Sequence, residues 1–275
     1  MTSPLDLRER VLTGFEALRE LPHVPGDYLS FRVSLYRAQL AAFDALRMES
    51  APRPPLSKDT LSLDSSGLSK FLEGLAASLA EGSPAAAELK KLNGRVEILA
   101  DMVRAAVFGP DLETLLRLSR EAEVAEDTLL FFGRAAGAPY VSKILWSAPD
   151  DSFDIATDAR PCPFCGSAPG LSIIRGETGR RFLACSLCGR EWEYPRLNCP
   201  FCGEQGTLEI IKESEGAQRW IESCGSCRGY IKISDERKLG QAGLIPLLES
   251  VSTLYLDFIA EKQGCKRSLP YVAMR

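Results

Sequence analysis

Eight of the nine cysteines in this 275-residue chain fall between Cys162 and Cys227, where they form four Cys-x-x-Cys pairs. The string Cys-Pro-Phe-Cys-Gly at 162–166 returns 37 residues later at 199–203. Each copy is followed by a second pair, Cys185/Cys188 after 19 residues and Cys224/Cys227 after 21. Arg181-Phe182-Leu183 ahead of one closing pair resembles Arg219-Trp220-Ile221 ahead of the other. The chain therefore contains an internal repeat whose unit is two thiol pairs. Two residues between cysteines let both sulfurs face one ion, and two such knuckles supply the four thiolates of a tetrahedral S4 centre. Glycine after the second cysteine permits positive φ and leaves backbone N–H groups close to sulfur. The spacing predicts two independent ligand sets, Cys162/Cys165/Cys185/Cys188 and Cys199/Cys202/Cys224/Cys227, since the short linker at 191–198 works against interleaved pairing.

The segments between the pairs read as hairpins. Leu171–Arg175, a turn at Gly176–Gly179 and Arg181–Ala184 give strand, turn, strand. Leu208–Lys212, Glu213–Gly216 and Gln218–Glu222 repeat the pattern, and Tyr230–Ile233 adds a third strand. A module of roughly 30–35 residues buries too little apolar surface to fold alone, so metal supplies the missing stability. Four thiolates around a divalent ion carry −2, and two sites would move the formal charge from −4 to −8. Arg160, Arg190, Arg196 and Arg228 stand close enough in sequence to soften that charge.

Other uses of such cysteines fit less well. Disulfides belong to oxidising compartments, whereas the start MTSPLDLRERVL has charges where a secretory signal would be apolar, which implies no export. A dithiol redox site needs one pair opening a helix after a strand, not four pairs alternating with hairpins. Electron transfer on iron stays open, because the same S4 geometry holds iron or zinc. A closed S4 site leaves no position for substrate, which argues against hydrolytic metal catalysis. A nucleic-acid-binding ribbon, with Arg175, Arg180, Arg181, Arg190 and Arg196 as its basic face, is opposed by the acidic balance of the chain.

Residues 1–159 have no cysteine and carry 17 Lys and Arg against 24 Asp and Glu; the remainder carries 16 against 13. The boundary falls in the polar stretch Ser147–Ser152. Ahead of it the chain reads as helices. Leu68, Phe71, Leu72, Leu75 and Leu79 recur at steps of three and four until Gly82-Ser83-Pro84. Leu89, Leu92, Val96, Leu99, Val103 and Val107 form a second stripe, ended by Gly109-Pro110. Further helices are expected over Tyr28–Leu46, Leu112–Leu118, Ala125–Phe132 and Pro139–Leu145, with a loop at Ser50–Pro55. Each stripe must bury against another, so an antiparallel bundle serving as scaffold or docking domain is expected. Ser57–Ser69 reads as loop and helix cap. The lone His23 sits in a loop with no Cys or Ser to make a nucleophilic pair. After the cysteines, Gly240–Gly264 reads as a last amphipathic helix, and Cys265 has no pair. No run of about 18 apolar residues is present, so nothing spans a membrane.

Several segments together resemble the formate dehydrogenase accessory protein family, FdhE. These are Gly26-Asp27-Tyr28-Leu29 with Phe31 and Ala38-Gln39, the four Cys-x-x-Cys pairs, and Glu222-Ser223-Cys224-Gly225 with Tyr230-Ile231-Lys232. The likeness continues into Leu256-Asp257 and Arg267-Ser268 and is weakest between residues 50 and 150. The resemblance implies a cytoplasmic, non-enzymatic protein of α+β multidomain class. An N-terminal helical bundle (1–158) would precede two tandem rubredoxin-like or zinc-ribbon modules (159–197 and 198–238) and a C-terminal helix and tail (239–275). It implies two metal ions, iron or zinc, and as partner the catalytic subunit of formate dehydrogenase, a molybdenum or tungsten selenoenzyme. No membrane or nucleic acid is expected as partner. A docking role needs surface rather than a reaction centre. The hinge between bundle and ribbons and the knuckle residues Phe164 and Phe201 are the places where the sequence offers it.

Overall fold

The computed structural model describes residues 4–47, 56, 61–147, 159–240, 243–267, 269–270, 272 and 274. The expected Pro-rich loop and residues 148–158, where the expected domain boundary falls, lie outside the described residues. The first half is helical: α1 (Pro4–Ala17), α2 (Gly26–Ala45), α3 (Ser65–Ser78), α4 (Pro84–Leu92), α5 (Val96–Ala106), α6 (Leu112–Ala122) and α7 (Glu126–Ser147). Local chemistry explains several starts. Asp64 accepts from the backbone N–H groups of Ser66 and Gly67, Ser83 from Ala86 ahead of a Pro at the first turn, and Asp111 from Thr114. The stripe from Leu89 to Val107 is two helices rather than one, because Asn93 leaves the helix and Gly94 takes φ +75°.

Helix α7 corrects the expectation of two helices there. It runs through Pro139 unbroken and is buried along most of its length. A proline inside a helix has no N–H for the carbonyl four residues back, here that of Ala135. That carbonyl instead accepts from Gln39 Nε2 at 3.0 Å, and the same amide nitrogen donates to the carbonyl of Val272 at 3.0 Å. A buried glutamine on α2 thus repairs the proline defect and ties down the C-terminal tail. Close packing demands small residues nearby: a Cβ added to Gly133 would stand 2.7 Å from the carbonyl oxygen of Met102, and one added to Gly137 2.6 Å from Val107 Cγ1.

The second half is a seven-stranded sheet: β1 (Pro169–Arg175), β2 (Arg180–Cys185), β3 (Glu191–Glu193), β4 (Leu208–Ile211), β5 (Arg219–Cys224), β6 (Gly229–Asp235) and β7 (Lys266–Arg267). The strand order is β3-β2-β1-β6-β5-β4, with β7 beside β6. Each cysteine module contributes an antiparallel hairpin extended by a third strand. The two modules join where β1 and β6 run parallel, with Ser172, Ile173 and Ile174 opposite Ile233, Ser234 and Asp235. The short strands β3 and β7 were not expected from sequence.

The expected C-terminal helix is broken. After the single turn α8 (Glu236–Leu239), α9 (Pro246–Ser252) and α10 (Leu254–Lys262) meet at Thr253, whose φ of −103° and ψ of 24° interrupt the helix. Lys232 Nζ donates to the carbonyl of Ser250 at 2.8 Å and forms an ion pair with Asp257 at 2.8 Å, so a buried cation sits at the end of α9. One apolar cluster runs from Val11 and Phe15 through the helices into Cys162, Phe164, Leu171 and Leu183, and on to Val272 and Met274. Among the described residues no helix is long and apolar enough to cross a membrane.

Candidate metal centres

All four knuckles close in the same way. The backbone N–H after the second cysteine donates to the carbonyl of the first: Gly166 to Cys162 at 2.7 Å, Gly189 to Cys185 at 3.2 Å, Gly203 to Cys199 at 2.9 Å and Arg228 to Cys224 at 2.9 Å. That closure puts the donor in the left-handed region, at φ of +71°, +70°, +85° and +60° respectively. Glycine adopts it freely in three knuckles, and Arg228 adopts it in the fourth at a cost of about 1 kcal/mol. The side chain of Arg228 is held by a 2.7 Å hydrogen bond to the carbonyl of Gln263.

The hairpins bring the eight sulfurs into two groups of four. Cys162, Cys165, Cys185 and Cys188 form one and Cys199, Cys202, Cys224 and Cys227 the other, with the sulfurs of each group within 4.8 Å of one another. Sγ–Sγ separations are 3.6 Å for Cys162–Cys188, 3.5 Å for Cys165–Cys185, 3.8 Å for Cys199–Cys227 and 3.7 Å for Cys202–Cys224. No pair is a disulfide. A tetrahedron with ligands about 2.3 Å from its centre has edges of about 3.8 Å, so the spacing fits a four-thiolate ion. Backbone N–H groups of Leu187 and Cys188 point at Cys185 Sγ (3.4 and 3.5 Å), that of Phe201 at Cys199 Sγ and that of Gly229 at Cys227 Sγ (both 3.4 Å). Such bonds stabilise thiolate and orient it. Either group could hold a metal ion.

The groups differ in environment. All four cysteines of the first are buried, whereas Cys202 and Cys227 of the second are half-buried. Burial raises the thiols of Cys162 and Cys165 well above the usual range, and raises Cys199 to about 12. One thiol in each group goes the other way. Burial opposes ionisation of Cys185, but hydrogen bonds from the other three thiols and from its own knuckle hold it well below the usual value. Cys224 is held at about 6, against burial, by the Thr207 hydroxyl 3.3 Å away and the backbone N–H groups of Cys227 and Ser226.

The charge enclosed beside the first group comes from a residue that gave no signal in the sequence. Arg134 lies on α7, fully buried, and donates through Nη2 to Ser167 Oγ at 3.0 Å and Ser186 Oγ at 2.8 Å, and through Nη1 to the carbonyl of Ala106 at 3.3 Å. Burial lowers its pKa to about 10, while Cys185, Cys165 and Cys188 pull it back up. Ser167 follows the first knuckle and Ser186 lies inside the second.

The arginines expected to offset the thiolates act mainly through carbonyls. Arg160 donates to the carbonyl of Cys202 at 2.7 Å, and Arg190 to that of Leu145 at 2.7 Å while lying over the Phe164 ring. The carbonyl of Arg196 accepts from buried Arg181, which also pairs with Glu222 at 3.1 Å. Phe164 is buried and Phe201 packs partly buried against the core, so both cover their own modules. His23 donates from Nε2 to the carbonyl of Ser252 at 2.8 Å and meets the edge of Tyr255, a structural link to α9. Cys265 is buried in the small cluster between β5, β6 and α10. The segments that carried the family resemblance converge here too. Tyr230 donates to Asp257 at 2.8 Å, Lys232 pairs with the same carboxylate, and Arg267 lies 3.8 Å from it.

Comparison with known proteins agrees with this geometry. The family described as FdhE, central domain, matches residues 161–196, which span the first cysteine module. An FdhE homolog of Edwardsiella ictaluri is 32% identical over 92% of this chain and 84% of its own, and the FdhE protein of Salmonella paratyphi A is 30% identical with the same coverage. The crystal structure of the FdhE protein from Pseudomonas aeruginosa superposes with a TM-score of 0.70 at 26% identity, covering 97% of this chain and 94% of that one. With whole-length likeness in sequence and in fold, the chain belongs to the FdhE family.

Proposed function

We propose that this protein is a cytoplasmic, non-enzymatic accessory factor needed for active formate dehydrogenase, and that it binds the catalytic subunit of that enzyme. Cys162, Cys165, Cys185 and Cys188 ligate one metal ion, and Cys199, Cys202, Cys224 and Cys227 a second, each iron or zinc. The chain divides into a helical domain at 1–158, metal ribbons at 159–197 and 198–238, and a terminal segment at 239–275. The observation that carries this reading is that each thiol group is complete in its four sulfurs. Four sulfurs at tetrahedral spacing leave no coordination position for a substrate, so a bound ion acts through shape or through electrons. When bound, the ion would supply the positive charge that holds four thiolates together and so organises the knuckles. The residues of the chain then do the rest: the backbone N–H groups hold the thiolates, and buried Phe164 helps keep water from the first tetrad.

Shape is the simpler of the two uses, because modules this small need metal to fold. The test is maturation of formate dehydrogenase in cells lacking the accessory protein, complemented by protein whose sites hold zinc alone. Full activity, with the catalytic subunit co-purifying, is expected. Loss of activity with binding intact would instead assign the sites to electron transfer on iron.

A further inference from the structure

A buried guanidinium needs a counter-charge, and among the described residues no carboxylate provides one for Arg134. Its hydrogen-bond partners are two neutral hydroxyls and one carbonyl. Among the described residues no Asp or Glu stands within ion-pair reach of it, whereas buried Arg181 faces Glu222 at 3.1 Å and buried Lys232 faces Asp257 at 2.8 Å. Leaving a cation in a dry interior without an anion costs several kcal/mol. The groups that act on Arg134 electrostatically are the thiols of the first tetrad, Cys185, Cys165 and Cys188. The partner serines flank those same cysteines. Ser186 stands between Cys185 and Cys188, and its hydroxyl donates to the carbonyl of Ala168 at 2.7 Å, which turns its lone pairs toward the guanidinium.

We propose that Arg134 is the counter-ion of the first metal centre, the residue through which the helical half holds that centre and sets its charge. This rests on the assignment of the first tetrad as a metal centre. Four thiolates and a divalent ion carry −2, and the guanidinium reduces this to −1 where no water can do so. Arg134 therefore favours a doubly negative centre, zinc or ferrous iron, over the singly negative ferric one. The second centre is placed differently. The buried cation that feels one of its thiols, Arg181 beside Cys199, is already balanced by Glu222, and Cys202 and Cys227 are only half-buried. One sequence motif thus yields two centres of different charge: the first is a closed, slowly exchanging centre and the second an open one.

The test uses full-length protein loaded with zinc and mixed with a chromophoric chelator. Wild type should release two ions in two phases. Arg134→Gln keeps donors for the serines and removes the charge; it should speed release of one ion about 10–100-fold and leave the other unchanged. Arg134→Lys should stay close to wild type. In a Cys202→Ser background, where only the first set is complete, the accelerated phase should remain. Ser167→Ala loosens the guanidinium without removing it and should speed the same phase about threefold, a small fraction of the loss expected for a full outer partner. This second variant decides the matter if Arg134→Gln does not fold. Rates indifferent to these changes, or Arg134→Lys as fast as Arg134→Gln, would overturn the counter-ion. A protein that holds fewer than two zinc ions would overturn the metal assignment instead.

Discussion

The two cysteine modules begin with the same five residues and close their knuckles with the same hydrogen bonds, yet one is core and the other is surface. The first lies under α7, with Arg134 from above and the tail residue Val272 donating to the carbonyl of Ser186 at 2.9 Å. The second lies toward the β4 edge, where Ile210 is 58% exposed and two cysteines are half-buried. A ligand repeat therefore specifies local geometry and says little about burial, which depends on what the rest of the chain lays over each copy. The helical half lays a charged side chain, Arg134, into the first module.

Replacing one cysteine in each module is the strongest way to break this comparison. Cys165→Ser removes a ligand where no water can take its place, beside an arginine that then loses its anion. It should cost more than about 4 kcal/mol, in the range reserved for uncompensated buried charge. Cys202→Ser opens a half-buried position that water can fill, so about 2 kcal/mol is expected, confined to the second module. Urea unfolding followed by helical circular dichroism measures both. Equal losses would mean that the cover on the first module contributes nothing. Limited proteolysis of Cys165→Ser bears on the proposed domain boundary, because a resistant fragment of the first half survives only if that half folds alone.

A smaller effect comes from Gln39, which ties the C-terminal tail to α7. Gln39→Leu leaves the carbonyls of Ala135 and Val272 without a donor in the interior, which should cost about 2 kcal/mol. The loss should appear as faster hydrogen exchange at the amide of Val272, above the first centre, with the second module unaffected. Slowed or unchanged exchange there would remove Gln39 from the cover.

The grouping of the eight cysteines into two tetrads, the hairpins and most helices were legible because each depends on local spacing. The Cys-x-x-Cys pairs, the turn glycines and the apolar stripe of α3 are all patterns within a few residues. What was not legible depends on contacts distant in sequence. Pro139 signalled a break in α7 because the compensating Gln39 lies 96 residues from Ala135, whose carbonyl it satisfies. The reading of Gly240–Gly264 as one helix missed the break at Thr253, where Lys232 from β6 is bonded to the carbonyl of Ser250, the carboxylate of Asp257 and, at 3.4 Å, the carbonyl of Thr253 itself. Arg134 was invisible for the same reason, since its partners Ser167 and Ser186 are 33 and 52 residues away. The parallel β1–β6 pairing that fuses the two modules has no local signature at all.

Thiol chemistry sharpens the comparison further. With metal removed by chelator at neutral pH, Cys202 and Cys227 should react with an alkylating reagent at least about tenfold faster than any cysteine of the first set, since access limits a thiol once it ionises. Mass mapping at partial modification reads the order. Labelling of Cys162 or Cys185 first would show that metal loss opens the first centre, and would make its cover dependent on the ion rather than on the helices.

The last and smallest effect separates the cations that serve the two modules. Lys232 belongs to the second and is balanced by Asp257, and burial lowers its pKa from 10.5 to about 8 against the pull of that carboxylate. The folded chain therefore gives up this proton first. Between about pH 8 and 10.5 the unfolded chain holds the extra proton, so the contribution of Lys232 to stability rises with pH across that window, by at most about 1.4 kcal/mol per pH unit. Below it the penalty for burying the ammonium is constant. Lys232→Met should flatten the rise between pH 8 and 9.5 in urea titrations at fixed metal. Arg134, with its pKa near 10, should add little slope over that range, so Arg134→Gln should leave the rise in place. If Arg134→Gln flattens the rise and Lys232→Met does not, the anion beside Arg134 is weaker than a metal-thiolate centre provides. The contrast between a carboxylate-balanced cation in one module and a metal-balanced cation in the other would then fail.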